Sequence, residues 1–261
     1  MNFPSVLVIT IITVCKNSEQ FLTETINSVA RQTYPNIEYI VIDGESTDGT
    51  LNIIQQQASV ISVWISEKDT GMYDAINKGL KLATGDYILV LNSDDVLATD
   101  KVISDLATEI KKDRLDYYYG NIIKSKDGKN RKVKLFDVTF HELLFSTHGT
   151  FAPHPCFLIA ADFDKALNGY DTNYKYAADY DYILRALDTK EKRGRHLDIY
   201  ISKFRIHDNS ITASGKIDAE RKKILAQYGY NQRPYLSRRF YYYKLWIYYK
   251  IINISHGYKA G

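Results

Sequence analysis

The sequence predicts an α/β fold, with a mostly parallel central sheet flanked by helices and a helical C-terminal tail. Two observations carry this prediction. Up to about residue 100, short runs of β-branched and aromatic residues alternate with amphipathic helical patterns, and no sheet signal follows Gly215. Strands separated by helices pair in parallel, and such sheets bind ligands beyond the carboxyl ends of their strands. Function is therefore expected at those ends.

The first half of the chain, residues 1–100, is predicted to hold four strands and three intervening helices. The strands are residues 6–14, 37–42, 60–66 and the run that begins at Tyr87. The helices are marked by apolar residues at helical spacing, which are Leu22, Ile26 and Val29, then Ile53 and Ile54, then Met72, Ile76 and Leu80. This repeated strand and helix unit is typical of a parallel sheet.

The second half, residues 101–214, is less regular. A helix is predicted over 102–110, followed by short strands at 116–123 and 133–136 that a charged turn over 125–131 connects. Another helix follows later, and its apolar face consists of Tyr180, Ile183, Leu184 and Leu187. The tail, residues 215–261, is predicted to form a polar helix and then a segment rich in arginine and tyrosine.

The composition indicates a globular protein and excludes some function classes. With 45% hydrophobic residues and a formal charge of +3, the chain gives no case for nucleic-acid binding. Cys15 and Cys156 follow no metal-ligand spacing, so free thiols in a reducing compartment are expected. The apolar run 6–14 lacks the flanks of a signal peptide, and no run reaches the about 20 apolar residues that cross a bilayer.

The acidic pair Asp94 and Asp95 follows directly on an apolar strand, in the sequence Asn92-Ser93-Asp94-Asp95. Carboxylates this close repel one another unless a cation or protons compensate, and Mg²⁺ or Mn²⁺ usually arrives with substrate phosphates. The alternative is that Ser93 or an aspartate caps the next helix. No GxGxxG turn and no GxxxxGK[ST] loop occurs, which disfavours a dinucleotide site and a P-loop.

Six motifs occur in order along most of the chain, from Val6 to Thr212. They are TVCKN at 13–17, DGESTDGT at 43–50, GMYDAINKG at 71–79, NSDD at 92–95, ADYD at 178–181 and HDNSI at 207–211. Together they resemble the inverting family 2 glycosyltransferases with a GT-A fold. The resemblance implies a GT-A-like domain whose residues 1–100 bind a nucleotide-sugar donor and whose residues 101–214 supply the base and the acceptor pocket.

The resemblance also implies roles for individual residues. Nucleotide contacts are expected from Thr13, Cys15, Asp43, Asn77, Lys78 and Asp94. Asp43 would accept the imide N–H of a uracil ring, although Asp-Gly also favours turns regardless of ligand. Asn77 and Lys78 would contact the donor, although a polar helix face explains them as well.

A divalent cation, Mn²⁺ or Mg²⁺, is the implied cofactor, with Asp94, Asp95 and His207 as its protein ligands. The family pattern Asp-x-Asp has Asn92 at its first position in this chain. An amide oxygen is a weaker ligand than a carboxylate, but the following pair preserves two charges. Outside this set of motifs, a loop histidine such as His207 would be an ordinary surface residue.

Asp179 occupies the position of the catalytic base, where a carboxylate takes the proton of an acceptor hydroxyl. The alternative is a helix N-cap, and this chain has Ala178 where many family members have glutamate. Asp181 lies two residues further along the helix and is predicted to pair with Arg185 at i, i+4. Asp181 is therefore interpreted as structural.

The tail segment 233–254 is too short and too charged to span a bilayer, but its Tyr, Trp, Lys and Arg residues favour a membrane interface. The alternative is a helix that docks on the domain or forms a dimer interface. The expected function is transfer from a UDP-sugar to a saccharide or lipid-linked saccharide in bacterial polysaccharide synthesis, in the cytoplasm at the inner membrane face. The alternatives are a nucleotidyltransferase and a non-catalytic saccharide- or partner-binding module.

Overall fold

A computed structural model describes residues 6–145, 153–188, 193–207 and 216–254. The strands are β1 (Ile9–Cys15), β2 (Ile37–Asp43), β3 (Val63–Ser66), β4 (Tyr87–Val90), β5 (Val96–Leu97), β6 (Tyr117–Lys126), β7 (Lys129–Val133), β8 (Phe157–Ala160) and β9 (Gly194–Arg205). The helices are α1 (Leu22–Ala30), α2 (Thr50–Gln56), α3 (Met72–Leu82), α4 (Val102–Asp113), α5 (Phe140–Phe145), α6 (Ala161–Leu167), α7 (Ala178–Leu187), α8 (Lys216–Gln227) and α9 (Tyr235–Ile254).

The first half of the sheet has the order β3-β2-β1-β4, and all of its pairings are parallel. All seven residues of β1 and all four of β4 are buried, as expected for strands covered by helices on both faces. Cys15 pairs with Asp43 and Asp43 pairs with Ser66, so the strand ends meet at one edge. The predicted alternation of strands and helices is confirmed here.

The second half continues the same sheet as β8-β6-β9-β5. β8 runs antiparallel to both β4 and β6, whereas β9 runs parallel to β6. The sheet as a whole is therefore mixed, and only its first half is entirely parallel. The α/β fold is confirmed, and one continuous sheet joins the two halves.

The hairpin between β6 and β7 differs from the prediction. Residues 125–131 do not form a long charged turn, because Ser125 pairs with Asn130 and Lys126 pairs with Lys129. Only Asp127 and Gly128 form the connection, with φ angles of 49° and 74°. Asp-Gly favours such a two-residue turn because both central positions need positive φ. The second strand therefore begins at Lys129, earlier than the predicted 133–136.

Helix α3 lies unusually close to the sheet at Gly79. A β-carbon there would lie 2.6 Å from Ile12 Cγ2 and 3.4 Å from Ile42 Cγ1. The glycine of the GMYDAINKG motif thus permits close contact between α3 and strands β1 and β2. This contact holds the Tyr73 end of α3 near the carboxyl edge of the sheet.

The C-terminal helices pack on the second half of the domain. Glu220 of α8 accepts backbone N–H groups from Lys175, Tyr176 and Ala177, immediately before α7. On α9, Lys244 donates to Glu142 of α5 at 2.7 Å. The predicted helical tail is confirmed. Among residues 6–145, 153–188, 193–207 and 216–254, no helix meets the length and hydropathy requirements of a transmembrane span.

Candidate active site

A cavity of about 480 Å³ opens at the carboxyl edge of β1 and β4, a volume within the range of ligand-binding pockets. It is lined by Val14, Cys15, Lys16, Asn17, Ser18, Gln20, Phe21, Asp69, Gly71, Met72, Tyr73, Ala75, Asn92, Ser93, Asp94, Pro153, His154, Pro155, Tyr176, Asp179, Phe204, His207 and Ile217. Both halves of the domain and α8 contribute to this lining. The predicted site residues Cys15, Asp94, Asp179 and His207 are therefore brought together at one cavity.

Asp94 and Asp95 have different environments despite their adjacency. Asp95 is fully buried, with Oδ1 accepting the Arg205 N–H at 2.9 Å and Oδ2 accepting the Asn92 side-chain amide at 3.0 Å. Burial, and then the charge of Asp94, raise the pKa of Asp95 well above its ordinary value. Asn92 thus donates where an aspartate would add a third charge, and Asp95 does not line the cavity. The pair precedes β5 and caps no helix.

Asp94 faces the cavity together with His207. Asp94 Oδ2 lies 2.9 Å from His207 Nε2, and both side chains are between a quarter and a third exposed. The ring of Phe21 packs on His207 with centroids 5.2 Å apart, and the Arg205 guanidinium lies over the same Phe21 ring, 4.4 Å from its centroid. This packing holds the end of β9 against the entry to α1.

The Asp94 and His207 pair fits a divalent cation that shares its coordination with a substrate. A carboxylate and an imidazole are suitable donors for Mn²⁺, and Mg²⁺ is commonly bound by one or two carboxylates plus substrate phosphates. Within the described parts of the chain, no three His, Cys, Asp or Glu side chains form a complete metal cluster.

Asp179 lies in the first turn of α7 and faces the cavity. Its Oδ1 accepts the Tyr73 hydroxyl at 3.1 Å and the Tyr180 N–H at 2.9 Å. The helix begins at Ala178, and Ala177 occupies the N-cap position, so Asp179 does not serve as the cap. Burial and the charge of Asp179 raise the pKa of Tyr73 well above its ordinary value, which keeps that hydroxyl a donor.

Asp181 has a different role on the same helix. It is buried, and its Oδ2 accepts from Arg185 Nε at 2.8 Å. The other Arg185 nitrogens donate to the carbonyls of Leu167 and Gly169. The predicted pairing of Asp181 with Arg185 is confirmed, and this pair ties α7 to the end of α6.

Asp43 lies at the end of β2 but does not line the cavity. Its carboxylate is fully buried and accepts from the Ser46 hydroxyl at 2.5 Å, from the Ser46 N–H at 3.1 Å and from the Ser66 hydroxyl at 2.6 Å. The turn chemistry of the DGESTDGT motif is thus present in the structure. The uracil contact stays a prediction.

The two predicted residues of β1 are placed differently. Thr13 is fully buried, accepts the Tyr39 hydroxyl at 3.1 Å and does not line the cavity. Cys15 does line it, although its thiol is buried beside Asp43. Burial, and then the charge of Asp43, raise the pKa of Cys15 far above its ordinary value, so the thiol stays protonated.

Asn77 and Lys78 also lie outside the cavity lining. The Asn77 side-chain amide donates to the Tyr170 carbonyl and accepts the Tyr170 N–H, both at 2.8 Å. Lys78 pairs with Glu67 at 2.9 Å and donates to the Lys68 carbonyl at 2.7 Å. Both side chains connect α3 to neighbouring loops in this structure, and their nucleotide contacts stay predictions.

Several cavity residues were not among the predicted site residues. Lys16, Asn17 and Asp69 follow strand ends, so the rule that selected Asp94 could have found them. Tyr73 and His154 could not be found in this way, because their positions depend on tertiary contacts. His154 is buried, and its Nε2 donates to Asn92 Oδ1 at 2.7 Å. Burial lowers the pKa of His154, so the ring is neutral.

Residues 10–166 match the sequence profile of the family described as Glycosyl transferase family 2. A putative teichuronic acid biosynthesis glycosyltransferase from Bacillus subtilis, TuaG, is 32% identical over 123 residues, which are 46% of this chain and 49% of that protein. The UDP-Glc:alpha-D-GlcNAc-diphosphoundecaprenol beta-1,3-glucosyltransferase WfgD from Escherichia coli is 31% identical over 131 residues, 49% of this chain and 51% of that protein. The chain thus aligns with about half the length of these curated relatives.

Solved structures show the same fold at low sequence identity. S. aureus TarS 1-349 in complex with UDP-GlcNAc has a TM-score of 0.67 and 20% identity, over 85% of this chain and 71% of that one. The mannosyltransferase PcManGT from Pyrobaculum calidifontis, in complex with GDP-Man and Mn²⁺, has a TM-score of 0.65 and 14% identity, over 88% of this chain and 66% of that one. The predicted GT-A-like fold is confirmed.

Proposed function

The chain belongs to glycosyl transferase family 2, and from that premise we propose that it transfers a sugar from a UDP-sugar to a hydroxyl of a saccharide acceptor. The single observation that carries this proposal is that Asp94, His207 and Asp179 line one cavity. A cation-binding pair and a separate carboxylate are the two groups that such a transfer needs. The first can receive a diphosphate and the second can receive a proton.

The donor nucleotide is assigned to the side of the cavity formed by residues 6–100. Cys15 ends β1, and Lys16 and Asn17 follow it, at the sheet edge where α/β folds bind nucleotides. TarS binds UDP-GlcNAc and the name of WfgD specifies UDP-Glc, which supports UDP, whereas PcManGT holds GDP-Man. For Asp43 to accept a uracil N–H, one of the two serine hydroxyls that donate to it would have to give up its hydrogen bond.

Asp94 and His207 would hold Mn²⁺ or Mg²⁺ together with the donor diphosphate, and the neighbour PcManGT carries Mn²⁺. When bound, the cation would neutralise the negative charge that develops on the leaving diphosphate. Asp95 lies beneath Asp94 and holds the turn through Asn92 and Arg205. Its contribution is therefore to position Asp94.

Asp179 would act as the base in a single displacement. The acceptor oxygen forms a bond to the anomeric carbon, the bond from that carbon to the diphosphate oxygen breaks, and the hydroxyl proton passes to the Asp179 carboxylate. The diphosphate leaves with the bonding electrons, and one displacement inverts the configuration at the anomeric carbon. Tyr73 fixes one oxygen of Asp179 and leaves Oδ2 for the acceptor.

A lipid-linked saccharide is the proposed acceptor, at the cytoplasmic face of a bacterial membrane. The name of WfgD specifies a diphosphoundecaprenol acceptor, which supports this class. No observation on the described residues favours a nucleotidyltransferase. Transfer or hydrolysis of a nucleotide-sugar would exclude a non-catalytic binding module.

Calorimetric titration with UDP, with and without Mn²⁺, tests the donor site. We expect binding that Mn²⁺ strengthens, and a loss of at least about tenfold in that Mn²⁺-dependent affinity for Asp94→Asn. Asp162→Asn is the matched control, because the Asp162 side chain is 98% exposed on α6. Absence of UDP binding by the unaltered protein in both conditions would refute the UDP assignment, and equal binding by Asp94→Asn would refute the role of Asp94.

A further inference from the structure

Helix α9 has one face packed on the domain and the opposite face open to solvent. On the packed face, Leu245 is buried and Tyr241 stacks on Phe145 with ring centroids 5.2 Å apart. Lys244 also reaches the domain, where it donates to Glu142. One side of α9 therefore docks on the domain, as the alternative prediction for the tail states, and the opposite side does not.

The open face carries a continuous apolar stripe. The stripe consists of Leu236, Phe240, Tyr243, Ile247 and Ile251, which are 79%, 65%, 45%, 47% and 64% exposed. Their spacing of three or four residues places them in one row along the helix. Among the described residues, ten large hydrophobic side chains are exposed, and seven of them lie on α9. Such a concentration indicates an interaction surface, whereas scattered exposed side chains do not.

The charges around the stripe have one sign. Residues 233–254 contain five Arg or Lys residues and no Asp or Glu. Arg239 donates to the hydroxyls of Tyr235 and Tyr243, at the edge of the stripe. Lys250 lies over the ring of Trp246, 5.7 Å from its centroid. The face thus combines aliphatic, aromatic and cationic groups, as interfacial membrane helices do.

We propose that the α9 stripe is a membrane-binding surface that lays the helix along an anionic lipid bilayer. The apolar row would enter the boundary between headgroups and acyl chains, and the cations would contact anionic headgroups. A second copy of the chain is a poorer occupant, because a symmetric pairing would bring two sets of like charges together. The charge complementarity therefore selects anionic lipid.

The biological purpose of this surface rests on the proposed function, because a lipid-linked acceptor would reach the enzyme at the membrane. The stripe is connected to the catalytic helix through α5. Lys244 and Tyr241 of α9 contact α5, and the Tyr180 hydroxyl of α7 donates to the Leu143 carbonyl of α5 at 3.1 Å. A membrane under α9 would therefore lie beside the half of the domain that carries Asp179.

Sedimentation of the full chain with lipid vesicles tests the proposal. We expect binding to vesicles of phosphatidylcholine with phosphatidylglycerol, and weaker binding to phosphatidylcholine alone. The double variant Phe240→Ser/Ile247→Ser should bind the anionic vesicles at least about tenfold more weakly, because two apolar side chains no longer leave water. Arg239→Gln/Lys250→Gln should weaken binding and reduce its dependence on salt.

The matched control is Val63→Ser/Leu82→Ser, which removes two exposed apolar side chains elsewhere on the surface, 38% and 36% exposed. It should bind vesicles like the unaltered protein. Equal melting temperatures would exclude unfolding as the cause of any loss in the stripe variant.

Three outcomes would overturn the proposal. They are no sedimentation of the unaltered protein with anionic vesicles, equal binding by the stripe variant, and a stable dimer that the stripe variant dissociates without any vesicle binding. The last outcome would assign the stripe to a second copy instead. Because no nucleotide is present in these assays, failure of vesicle binding is distinguishable from failure of UDP binding.

Discussion

The two halves of the domain hold their cavity-facing carboxylates in different ways. In residues 6–100, Asp94 lies in a turn whose own members, Asn92 and Asp95, hydrogen-bond each other at the end of β4. In the second half, Asp179 depends on distant partners, with Tyr73 lying 106 residues earlier in the chain and Glu220 holding the segment before α7. Asp94 also contacts the distant His207, but its own turn gives it a local framework, whereas the side-chain partner of Asp179 and the support of the segment before α7 are both long-range. Donor binding should therefore survive changes that abolish transfer.

Removing the base should give the largest difference between the two halves, with transfer reduced and donor binding retained. We expect Asp179→Asn to reduce the transfer rate by about 100-fold or more, because an amide cannot take the acceptor proton. UDP affinity should stay within about twofold. The rate is measured as UDP release from a UDP-sugar with acceptor, and affinity by calorimetry.

Asp181→Asn is the control for this variant, two residues along the same helix. It should retain the transfer rate but lower the free energy of unfolding by about 2 kcal/mol, because a charged hydrogen bond to Arg185 is weakened. Full transfer activity of Asp179→Asn would refute the role of Asp179 as the base.

Gly79→Ala tests the packing of the first half. The added methyl group would lie 2.6 Å from Ile12 Cγ2, so we expect a loss of about 1–3 kcal/mol in the free energy of unfolding. Helix propensity alone would favour alanine by about 1 kcal/mol, so the two effects have opposite signs. Urea denaturation measures the difference.

Lys81→Ala provides the comparison on the same helix, because Lys81 is exposed. It should change the free energy of unfolding by less than about 0.5 kcal/mol. A stabilised Gly79→Ala variant would show that α3 can move away from β1 and would contradict the close contact.

Tyr73→Phe tests the link between the halves. It removes the hydroxyl that donates to Asp179 Oδ1, so we expect a decrease of about fivefold in kcat, which corresponds to one hydrogen bond of about 1 kcal/mol. UDP affinity should not change. Steady-state kinetics and calorimetry together measure both quantities.

Tyr182→Phe is matched to this variant. Tyr182 stacks on Tyr170 with centroids 4.3 Å apart, and its hydroxyl donates to Asp164 at 2.5 Å rather than to Asp179. It should lower stability and leave kcat unchanged. If both variants lowered kcat equally, the aromatic stack rather than the Tyr73 hydroxyl would position Asp179.

The smallest expected effect is on the pH dependence of stability through His154. Burial lowers the pKa of His154, so below about 6.5 the unfolded chain binds a proton that the folded chain does not. Stability should therefore fall as the pH drops from about 6.5 toward the lowered value. His154→Gln keeps a donor for Asn92 and cannot titrate, so the decline in urea midpoint should become shallower. An unchanged decline would contradict a neutral buried ring.

Particular elements show how far the sequence predicts the fold. Apolar periodicity located the helices of the first half, and i, i+4 spacing was sufficient to pair Asp181 with Arg185. Strand β8 was missed because four residues carry too little periodicity to identify. The turn at Asp127-Gly128 had a sequence signal, but the charged residues around it suggested a longer loop.

The site shows the same division. Asp94 was identifiable because it follows a buried strand, and the structure places it at the cavity beside His207. Asn77 and Asp43 belong to recognisable motifs, yet their side chains are engaged by Tyr170, Ser46 and Ser66. A motif identifies which residues occur together, but their partners depend on how α3 and the loops pack.

The sequence by itself determined the strand and helix order, the acidic turn after β4 and the amphipathic, basic character of α9, because these depend on periodicity and on neighbours within a few residues. Only the tertiary structure decided that Asp95 is buried while Asp94 is open, that Tyr73 reaches Asp179, and which face of α9 remains exposed. These features require contacts between residues far apart in the chain, and no local pattern specifies which distant surface covers a side chain.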